Sequence, residues 1–169
     1  MANHRSVKPN LKNPVHLLAF GFGAGCAPKA PGTFGTLVAL PIWWLAASFL
    51  PFWGYALVTL VVIAVGPYLC GKAAKDLGVH DHGGIVWDEI AGLLITLMAL
   101  PVTGASALLG FLAFRLFDIW KPWPISWLDR HVHGGTGIMA DDILAGIFAA
   151  ICMQLLYYIY PSVFAFLPL

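Results

Sequence analysis

The stretch that decides the fold is residues 30–71, APGTFGTLVALPIWWLAASFLPFWGYALVTLVVIAVGPYLCG, which contains no Asp, Glu, Lys or Arg. A helix needs about 20 apolar residues to cross a bilayer, so this stretch is long enough for two crossings. The PFWG at residues 51–54 is typical of a turn, because proline and glycine interrupt regular helices. We therefore predict membrane-spanning helices near residues 35–50 and 54–71.

The composition of the whole chain agrees with lipid as its solvent. The 169 residues are 60% hydrophobic and 10% charged, whereas a soluble domain carries about 25% charged residues. The net charge of +1 and the lack of a basic stripe argue against a nucleic-acid partner. The three cysteines are far apart and form no CxxC pair, which argues against a disulfide framework.

Two further stretches, residues 90–114 and 143–169, also lack charged side chains. The first could be one crossing, or two helices near 86–100 and 104–120 joined by the PVTG at 101–104. The turn residues favour the two-helix hairpin. With a last helix near 141–160, the sequence predicts an all-α, multi-span membrane protein with about five helices.

The distribution of charge predicts how this protein is oriented. In the five-helix arrangement, the turns at 51–53 and 101–103 and the C-terminal tail share one face and carry no charge. Every charged residue falls in 1–29, 72–89 or 115–142, on the opposite face. Basic residues collect on the cytoplasmic side of bacterial inner membranes, so we expect that face, and any active site on it, to be cytoplasmic.

The chain divides into a short tail and one domain. Residues 1–14 are polar and basic, with no typical signal-cleavage site, and are predicted to be a cytoplasmic tail. Residues 15–169 are predicted to form a single membrane-embedded domain. The seven tryptophans lie near predicted helix ends, which is typical of an interfacial aromatic belt.

Two carboxylate pairs are the first candidates for a functional site. They are Asp88-Glu89 in IVWDEIAG and Asp141-Asp142 in GIMADDILAG, each at the expected mouth of an apolar helix. Adjacent like charges repel, and the cost rises near a low-dielectric membrane. A divalent cation removes that cost, and Mg²⁺ prefers carboxylate, water and phosphate oxygens.

Helix capping is the alternative interpretation, because acidic residues at a helix N-terminus complement its dipole. Two pairs, each followed by a glycine that lets helices approach closely (Gly92 and Gly146), favour a metal site over capping. We therefore predict that these four acids frame a metal ion that carries phosphate.

The segment FRLFDIWKPWPISWLD, residues 114–129, contains the second group of candidates. Arg115 and Asp118 are three residues apart and share a helix face, and Lys121 follows three later, before Pro122 ends the helix. An interfacial Arg–Asp pair is the purely structural interpretation. In the functional one, Arg115 and Lys121 bind phosphate and Asp118 is a metal ligand or base.

Loops supply the remaining candidates. The loop GFGAGCAPKAPGTFG, residues 21–35, offers backbone N–H groups with Lys29 and Thr33 as side-chain donors, although it matches no P-loop or dinucleotide fingerprint. His80 and His82, and His131 and His133, form two His-x-His pairs without the spacing of a zinc site. His133 is a candidate for electrostatic assistance to a bound phosphate.

The motifs PGTFG, IVWDE, FRLFDIWKPWPI and HGGTGIMADDILAG, in that order, resemble those of the bacterial phosphatidylglycerophosphatase A family. The resemblance runs over residues 16–146. It implies a Mg²⁺-dependent phosphatase that converts phosphatidylglycerol phosphate to phosphatidylglycerol and inorganic phosphate, at the cytoplasmic face of the inner membrane. One departure is Thr36, where many members carry serine, which preserves the hydroxyl group.

The resemblance also implies roles for particular residues. Asp88, Glu89, Asp141 and Asp142 would bind the metal. Asp118, Asp129, Arg115 and Lys121 would act in catalysis. The substrate phosphate would be held by Lys29, Thr33, Arg115, Lys121 and His133.

The reaction expected by elimination is attack of a metal-activated water on phosphorus. The sequence lacks the Cys–Arg loop of cysteine phosphatases, the DxDx(T/V) of aspartyl-phosphate enzymes and the Ser-Gly-His of histidine-nucleophile lipid phosphatases. Either Asp118 or Asp129 would be the general base. Two competing hypotheses are a CDP-alcohol phosphotransferase, whose DGxxAR signature DDILAG matches poorly, and a cation transporter, for which no mid-membrane carboxylate is predicted.

Overall fold

The computed structural model describes residues 8–79 and 82–166. Across these ranges the chain forms helices joined by short turns, with no β-strand, so the predicted all-α class is confirmed. The elements are α1 (Pro14–Ala19), a 3-10 segment (Gly21–Cys26), α2 (Pro31–Phe49), α3 (Phe52–Leu77), α4 (Trp87–Thr96), α5 (Gly104–Trp120), α6 (Ile125–His131), α7 (Gly134–Ile159) and α8 (Pro161–Phe164). His80, Asp81 and the first half of the predicted tail lie outside the described residues.

Three of these helices are long and apolar enough to cross a membrane: α2, α3 and α7. Their 19, 26 and 26 residues correspond to about 28, 39 and 39 Å at 1.5 Å per residue. The hydrocarbon core of a bilayer is about 30 Å thick, so α3 and α7 exceed this thickness and α2 nearly equals it. Most of each apolar window faces outward rather than into the protein, as expected of helices surrounded by lipid.

The two helices predicted around the PVTG turn are α4 and α5. α5 has the predicted bounds, whereas α4 is shorter than predicted. α4 has 10 residues, about 15 Å, which is too short to cross. α4 packs against α2, α3, α5 and α7, so protein and not lipid surrounds it. This burial explains why α4 carries apolar residues on nearly all sides. The chain leaves α4 at Leu97, passes Ala99 in a left-handed conformation (φ 59°) and enters α5 at Gly104.

The two charge-free turns lie together at one end of the bundle, as predicted. Leu50 and Phe52, at the α2–α3 turn, line the same small cavity as Leu97, Leu100 and Val102, at the α4–α5 turn. The starts of α2, α4 and α7 and the ends of α3 and α5 form the other end. The charged residues within the described ranges are at or near that second end.

Helix α7 begins earlier than predicted, at Gly134 instead of near residue 141. The glycines of HGGTG made this stretch look like a loop, but they permit close helix packing. A Cβ on Gly135 would lie 1.9 Å from the carbonyl oxygen of Pro67 in α3. Asp141 and Asp142 are therefore two turns inside α7. The prediction that they lie at the mouth of this helix is wrong, and the alternative that they cap its N-terminus is excluded as well.

The prediction of an interfacial belt of seven tryptophans is also only partly correct. Trp44, Trp53, Trp120, Trp123 and Trp127 are exposed, whereas Trp43 and Trp87 belong to the buried core. The indole Nε1 of Trp87 donates to the carbonyl of Val62 in α3, at 3.0 Å. Because Val62 lies in the middle of α3, this bond helps to hold the first turn of α4 deep inside the bundle.

Candidate active site

Three carboxylates from two helices converge at the start of α4. Asp88 and Glu89 lie in the first turn of α4, and Asp142 lies in the third turn of α7. One oxygen from each of the three lies within 4.8 Å of the others. Asp88 is 9% exposed and Asp142 only 3%, so this three-acid cluster is recessed below the charged end of the protein.

The convergence depends on two glycines one helical turn further along. A Cβ on Gly146 of α7 would lie 2.5 Å from the carbonyl oxygen of Gly92 in α4. A Cβ on Gly92 would lie 2.9 Å from the carbonyl oxygen of Asp142 and even closer to the ring of Phe114. The backbones of α4 and α7 therefore touch here, and this contact confirms the close approach predicted from Gly92 and Gly146.

The donor set of the cluster fits a hard divalent cation. Asp88 Oδ1, Glu89 Oε2 and Asp142 Oδ2 are buried and have no hydrogen-bond partner among the described residues. Leaving a buried, charged oxygen without a partner is costly, and placing three together adds mutual repulsion. Carboxylate oxygens in this number and spacing are the ligands that Mg²⁺ accepts, together with water and phosphate.

Arg115 of α5 lies on one side of the cluster. Its guanidinium Nη1 forms an ion pair with Asp118, one turn later in α5, as the three-residue spacing predicted. The same nitrogen is 3.9 Å from Glu89 Oε1. Arg115 thereby links a cluster carboxylate to Asp118, and its Nε is buried without a hydrogen-bond partner in the described part of the chain.

Lys121, at the end of α5, is the second basic residue near the cluster, since it contacts Asp141, the neighbour of Asp142. Its Nζ donates to Asp129 Oδ1 and to Asp141 Oδ2, both at 2.6 Å. The residue adopts a left-handed backbone (φ 44°), a strained conformation for a side chain with a Cβ, which turns the chain toward α6. Burial alone lowers the pKa of the Lys121 amine, but the hydrogen bonds to the two carboxylates outweigh it and raise the pKa.

A cavity of about 180 Å³ collects most of the predicted site residues. Seven acidic or basic candidates and one histidine line it: Asp88, Glu89, Asp118, Lys121, Asp129, His133, Asp141 and Asp142. His133 reaches this position because it is the residue immediately before α7. The motifs that are far apart in the chain therefore meet in one polar cavity at the charged end of the bundle.

Three predicted phosphate donors do not line this cavity: Arg115, which reaches it through its contacts with Glu89 and Asp118, and Lys29 and Thr33. Lys29 is exposed in the loop before α2, and Thr33 is half-buried in the first turn of α2. Their neighbour Gly32 does touch the site, since a Cβ there would lie 2.3 Å from Glu89 Oε1. The first turn of α2 thus contacts the cluster through its backbone. Thr36 serves the helix itself, because its hydroxyl donates to the Gly32 carbonyl at 2.9 Å.

The segment before α4, residues 83–86, is a part of the site that the sequence did not reveal. Gly83 and Ile85 line the cavity, and the Val86 N–H donates to the carbonyl of Ala19 at the end of α1, at 2.8 Å. Gly84 packs so closely on Gly25 that a Cβ on Gly84 would lie 2.5 Å from the Gly25 carbonyl oxygen. The paired glycines at 83–84 were the available signal for this close packing.

Comparisons with known proteins agree over nearly the whole chain. The sequence model of the family Phosphatidylglycerophosphatase A matches residues 17–157. Phosphatidylglycerophosphatase A of Escherichia coli (strain K12) is 54% identical over 163 residues, which is 94% of this chain and 92% of that protein. The Haemophilus influenzae protein of the same name is 43% identical over 157 residues, 92% of this chain and 96% of the relative.

A third curated relative has a different name. The putative phosphatidylinositol-3-phosphatase of Bacteroides thetaiotaomicron is 35% identical over 142 residues, 80% of this chain and 88% of that protein. No solved structure matches the chain. The matched residues 17–157 include the cluster, both basic side chains beside it and the cavity.

Proposed function

The chain belongs to the phosphatidylglycerophosphatase A family, and we propose that it hydrolyses the terminal phosphate ester of phosphatidylglycerol phosphate to leave phosphatidylglycerol and inorganic phosphate. It is a phosphatase, and its three helices long and apolar enough to span a membrane support a lipid substrate. The observation that carries the proposal is the three-acid cluster, with Arg115 beside Glu89 and with Lys121 bonded to Asp141, the neighbour of Asp142.

The cofactor that we propose is Mg²⁺, held by Asp88, Glu89 and Asp142. Asp141 is a further candidate ligand, because its Oδ1 is buried with no hydrogen-bond partner among the described residues. When bound, Mg²⁺ supplies charge neutralisation to phosphate oxygens and makes water more acidic.

The two basic residues would bind the phosphate and stabilise charge in the transition state. Arg115 and Lys121 are held in place by Asp118, Asp129 and Asp141 before substrate arrives. Donors fixed in advance need little reorganisation when charge develops on the equatorial phosphate oxygens. The raised pKa of Lys121 keeps its amine charged throughout the physiological range.

The proton transfers fall to carboxylates that line the cavity. A water oxygen attacks phosphorus, the bond from phosphorus to the glycerol oxygen breaks, and that oxygen gains a proton. Asp118 and Asp129 are the candidate bases for the water proton, since both line the cavity. The side chain of Asp129 is 44% exposed and that of Asp118 is 13%, so Asp129 exchanges protons with solvent more readily.

We place the enzyme in the bacterial inner membrane with the cavity on the cytoplasmic face. The basic residues in the described ranges are near the cavity end, and the opposite turns carry no charge. Positive residues are retained on the cytoplasmic side of short loops.

The decisive experiment measures inorganic phosphate released from phosphatidylglycerol phosphate by the purified protein, with Mg²⁺ and with chelator. We expect release that depends on Mg²⁺, and a loss of at least a hundredfold in Asp88→Asn and Asp142→Asn. Asp76→Asn is the matched control, because Asp76 pairs with Lys72 and His16 outside the cavity. We expect this variant to keep wild-type activity. Full activity in both cluster variants, or in chelator, would contradict the metal site.

The same assay should include phosphatidylinositol 3-phosphate, because one relative is named for that activity. This lipid also carries a phosphate monoester on a head group joined to the lipid by a phosphodiester. We expect phosphatidylglycerol phosphate to be the better substrate, since the two relatives with higher identity are named for it. CMP release from CDP-diacylglycerol and an alcohol would instead indicate a phosphotransferase.

A further inference from the structure

The outer face of α5 carries an apolar trough that leads toward the cluster. Leu112, Leu116 and Ile119 are spaced by four and three residues and form one stripe along the helix. With Arg115 and Trp120 they line a shallow trough of about 840 Å³. The three aliphatic side chains are 53%, 57% and 70% exposed, so no described part of the chain covers them.

Arg115 gives this trough a charged inner wall. Its guanidinium bonds Asp118, a residue of the catalytic cavity, and lies 3.9 Å from Glu89 of the cluster. Arg115 therefore faces the trough and the site at once. Leu57, Leu60 and Val61 on α3 form another exposed apolar face. The first charged residue of α3 is Lys72, eleven residues after Val61, so no charged side chain neighbours that face along the helix.

The exposed Trp120 at the end of α5 favours a position of the trough where phospholipid head groups meet acyl chains. Trp120, 69% exposed, is at the end of α5, where tryptophans settle at the membrane interface. Arg115 lies five residues earlier, about 7.5 Å deeper along the helix. Leu112 lies deeper still, so the trough passes from a polar level to a fully apolar one.

We propose that this α5 trough docks the lipid substrate from the side, with an acyl chain along Leu112, Leu116 and Ile119. Arg115, which faces both the trough and the cavity, contacts the phosphodiester next to the acyl-bearing glycerol as well as the terminal phosphate that reaches into the cavity. The assignment rests on the proposed function, because it takes a diacyl phospholipid with two phosphates as the occupant. An apolar wall ending in a cation complements an acyl chain ending in a phosphodiester.

The test fills the trough without touching the cavity. Leu116→Trp adds bulk to the stripe, and Leu60→Trp adds the same bulk to the exposed face of α3. For each variant, kcat/KM is measured for phosphatidylglycerol phosphate with two 16-carbon chains and for its deacylated head group. We expect the ratio of the two values to fall about tenfold in Leu116→Trp and to stay within twofold of wild type in Leu60→Trp. Equal ratios in both variants would overturn the trough.

A second measurement separates this proposal from the proposed function. A photoreactive phosphatidylglycerol phosphate, with a diazirine in its acyl chain, is bound in chelator and crosslinked. It should label the peptide that carries Leu116 more than the peptide that carries Leu60, and excess unlabelled lipid should remove that label. If both peptides are labelled equally and phosphate release is intact, lipid docking in the trough is refuted and the proposed function stands. Absence of phosphate release by the wild type, with selective labelling, refutes the proposed function alone.

Another protein surface is the alternative occupant. If Leu116→Trp converts an oligomer to a monomer in detergent while the ratio of kcat/KM values is unchanged, the trough is a contact between chains. That outcome would also overturn lipid docking. If Leu116→Trp lowers the ratio of kcat/KM values while the oligomeric state stays the same, lipid docking is supported.

Discussion

Gly146→Ala tests whether the contact between α4 and α7 sets the geometry of the three-acid cluster. The added Cβ would lie 2.5 Å from the Gly92 carbonyl oxygen and 3.0 Å from its Cα. Both atoms belong to backbone, so no side chain can rotate away. To restore a van der Waals distance of roughly 3.4 Å, α4 and α7 must separate by about 0.9 Å. Asp88 and Asp142 lie one turn before these glycines, so the separation passes directly to the cluster.

The expected effect is a large loss of activity with a small loss of stability. A misplacement of about 1 Å at a reacting site costs on the order of a hundredfold in rate, about 2.7 kcal/mol. Overpacking costs about 1–3 kcal/mol, but replacing a mid-helix glycine by alanine returns about 1 kcal/mol. We expect kcat to fall 30- to 100-fold and the Mg²⁺ concentration for half-maximal activity to rise. Thermal unfolding in detergent should change by only a few degrees.

Gly110→Ala is the matched control. Its Cβ would meet Leu97 Cδ2 at 2.3 Å, the end of a flexible side chain at the far end of α4, which can move aside. Its activity should stay within about twofold of wild type. If Gly146→Ala keeps full kcat and normal Mg²⁺ dependence while folding normally, close contact of the two backbones is not what aligns the carboxylates.

Two further predictions concern the basic side of the cavity and the orientation of the chain. Lys121→Met should lower kcat about a hundredfold, because Asp129 and Asp141 lose their shared cation and the phosphate loses a donor. The raised pKa of Lys121 means that its charged form, and the stability it contributes, persist below the ordinary lysine value of about 10.4 and disappear only at higher pH. The loss in Lys121→Met should thus be equal at pH 7 and pH 9, and a loss confined to one of them would refute this role. In a background without native cysteines, a membrane-impermeant maleimide added outside the cell should label Ser162→Cys and spare Lys75→Cys, whereas labelling of both from one side contradicts the proposed orientation.

The charge-free stretches were sufficient to predict the helical class and the two turns. Residues 30–71 hold two apolar helices with a turn between them, and α2 and α3 meet at Leu50–Pro51. The sequence misjudged α4 because an apolar run does not reveal whether lipid or protein surrounds it. It misjudged the start of α7 because Gly134 and Gly135 are equally typical of loops and of tight helix packing.

The grouping of the candidate site residues was easier to predict than the helix boundaries, and the roles of these residues stay predictions. Acidic pairs beside apolar helices are costly unless something neutralises them, so Asp88, Glu89 and Asp142 were recognisable from local sequence. The ion-pair partner of each charged residue was harder to predict from the sequence. Arg115 with Asp118 follows from helical spacing, but the bridge from Lys121 to Asp141 spans 20 residues and two helices. Nothing local in the sequence specifies such a contact.

By itself, the sequence determined the apolar helices of this protein, the end at which its charges collect and the candidate residues for binding a cation and a phosphate. These follow from composition, helical period and the cost of charge near lipid, which are local properties. Only the tertiary structure decided that three carboxylates share one centre two turns below the start of α7, and that Arg115 faces both that centre and the α5 trough. Those arrangements depend on the backbone contact between Gly92 and Gly146 and on the burial of α4 by its neighbours. Packing between distant segments creates both, and no single stretch of the chain encodes either.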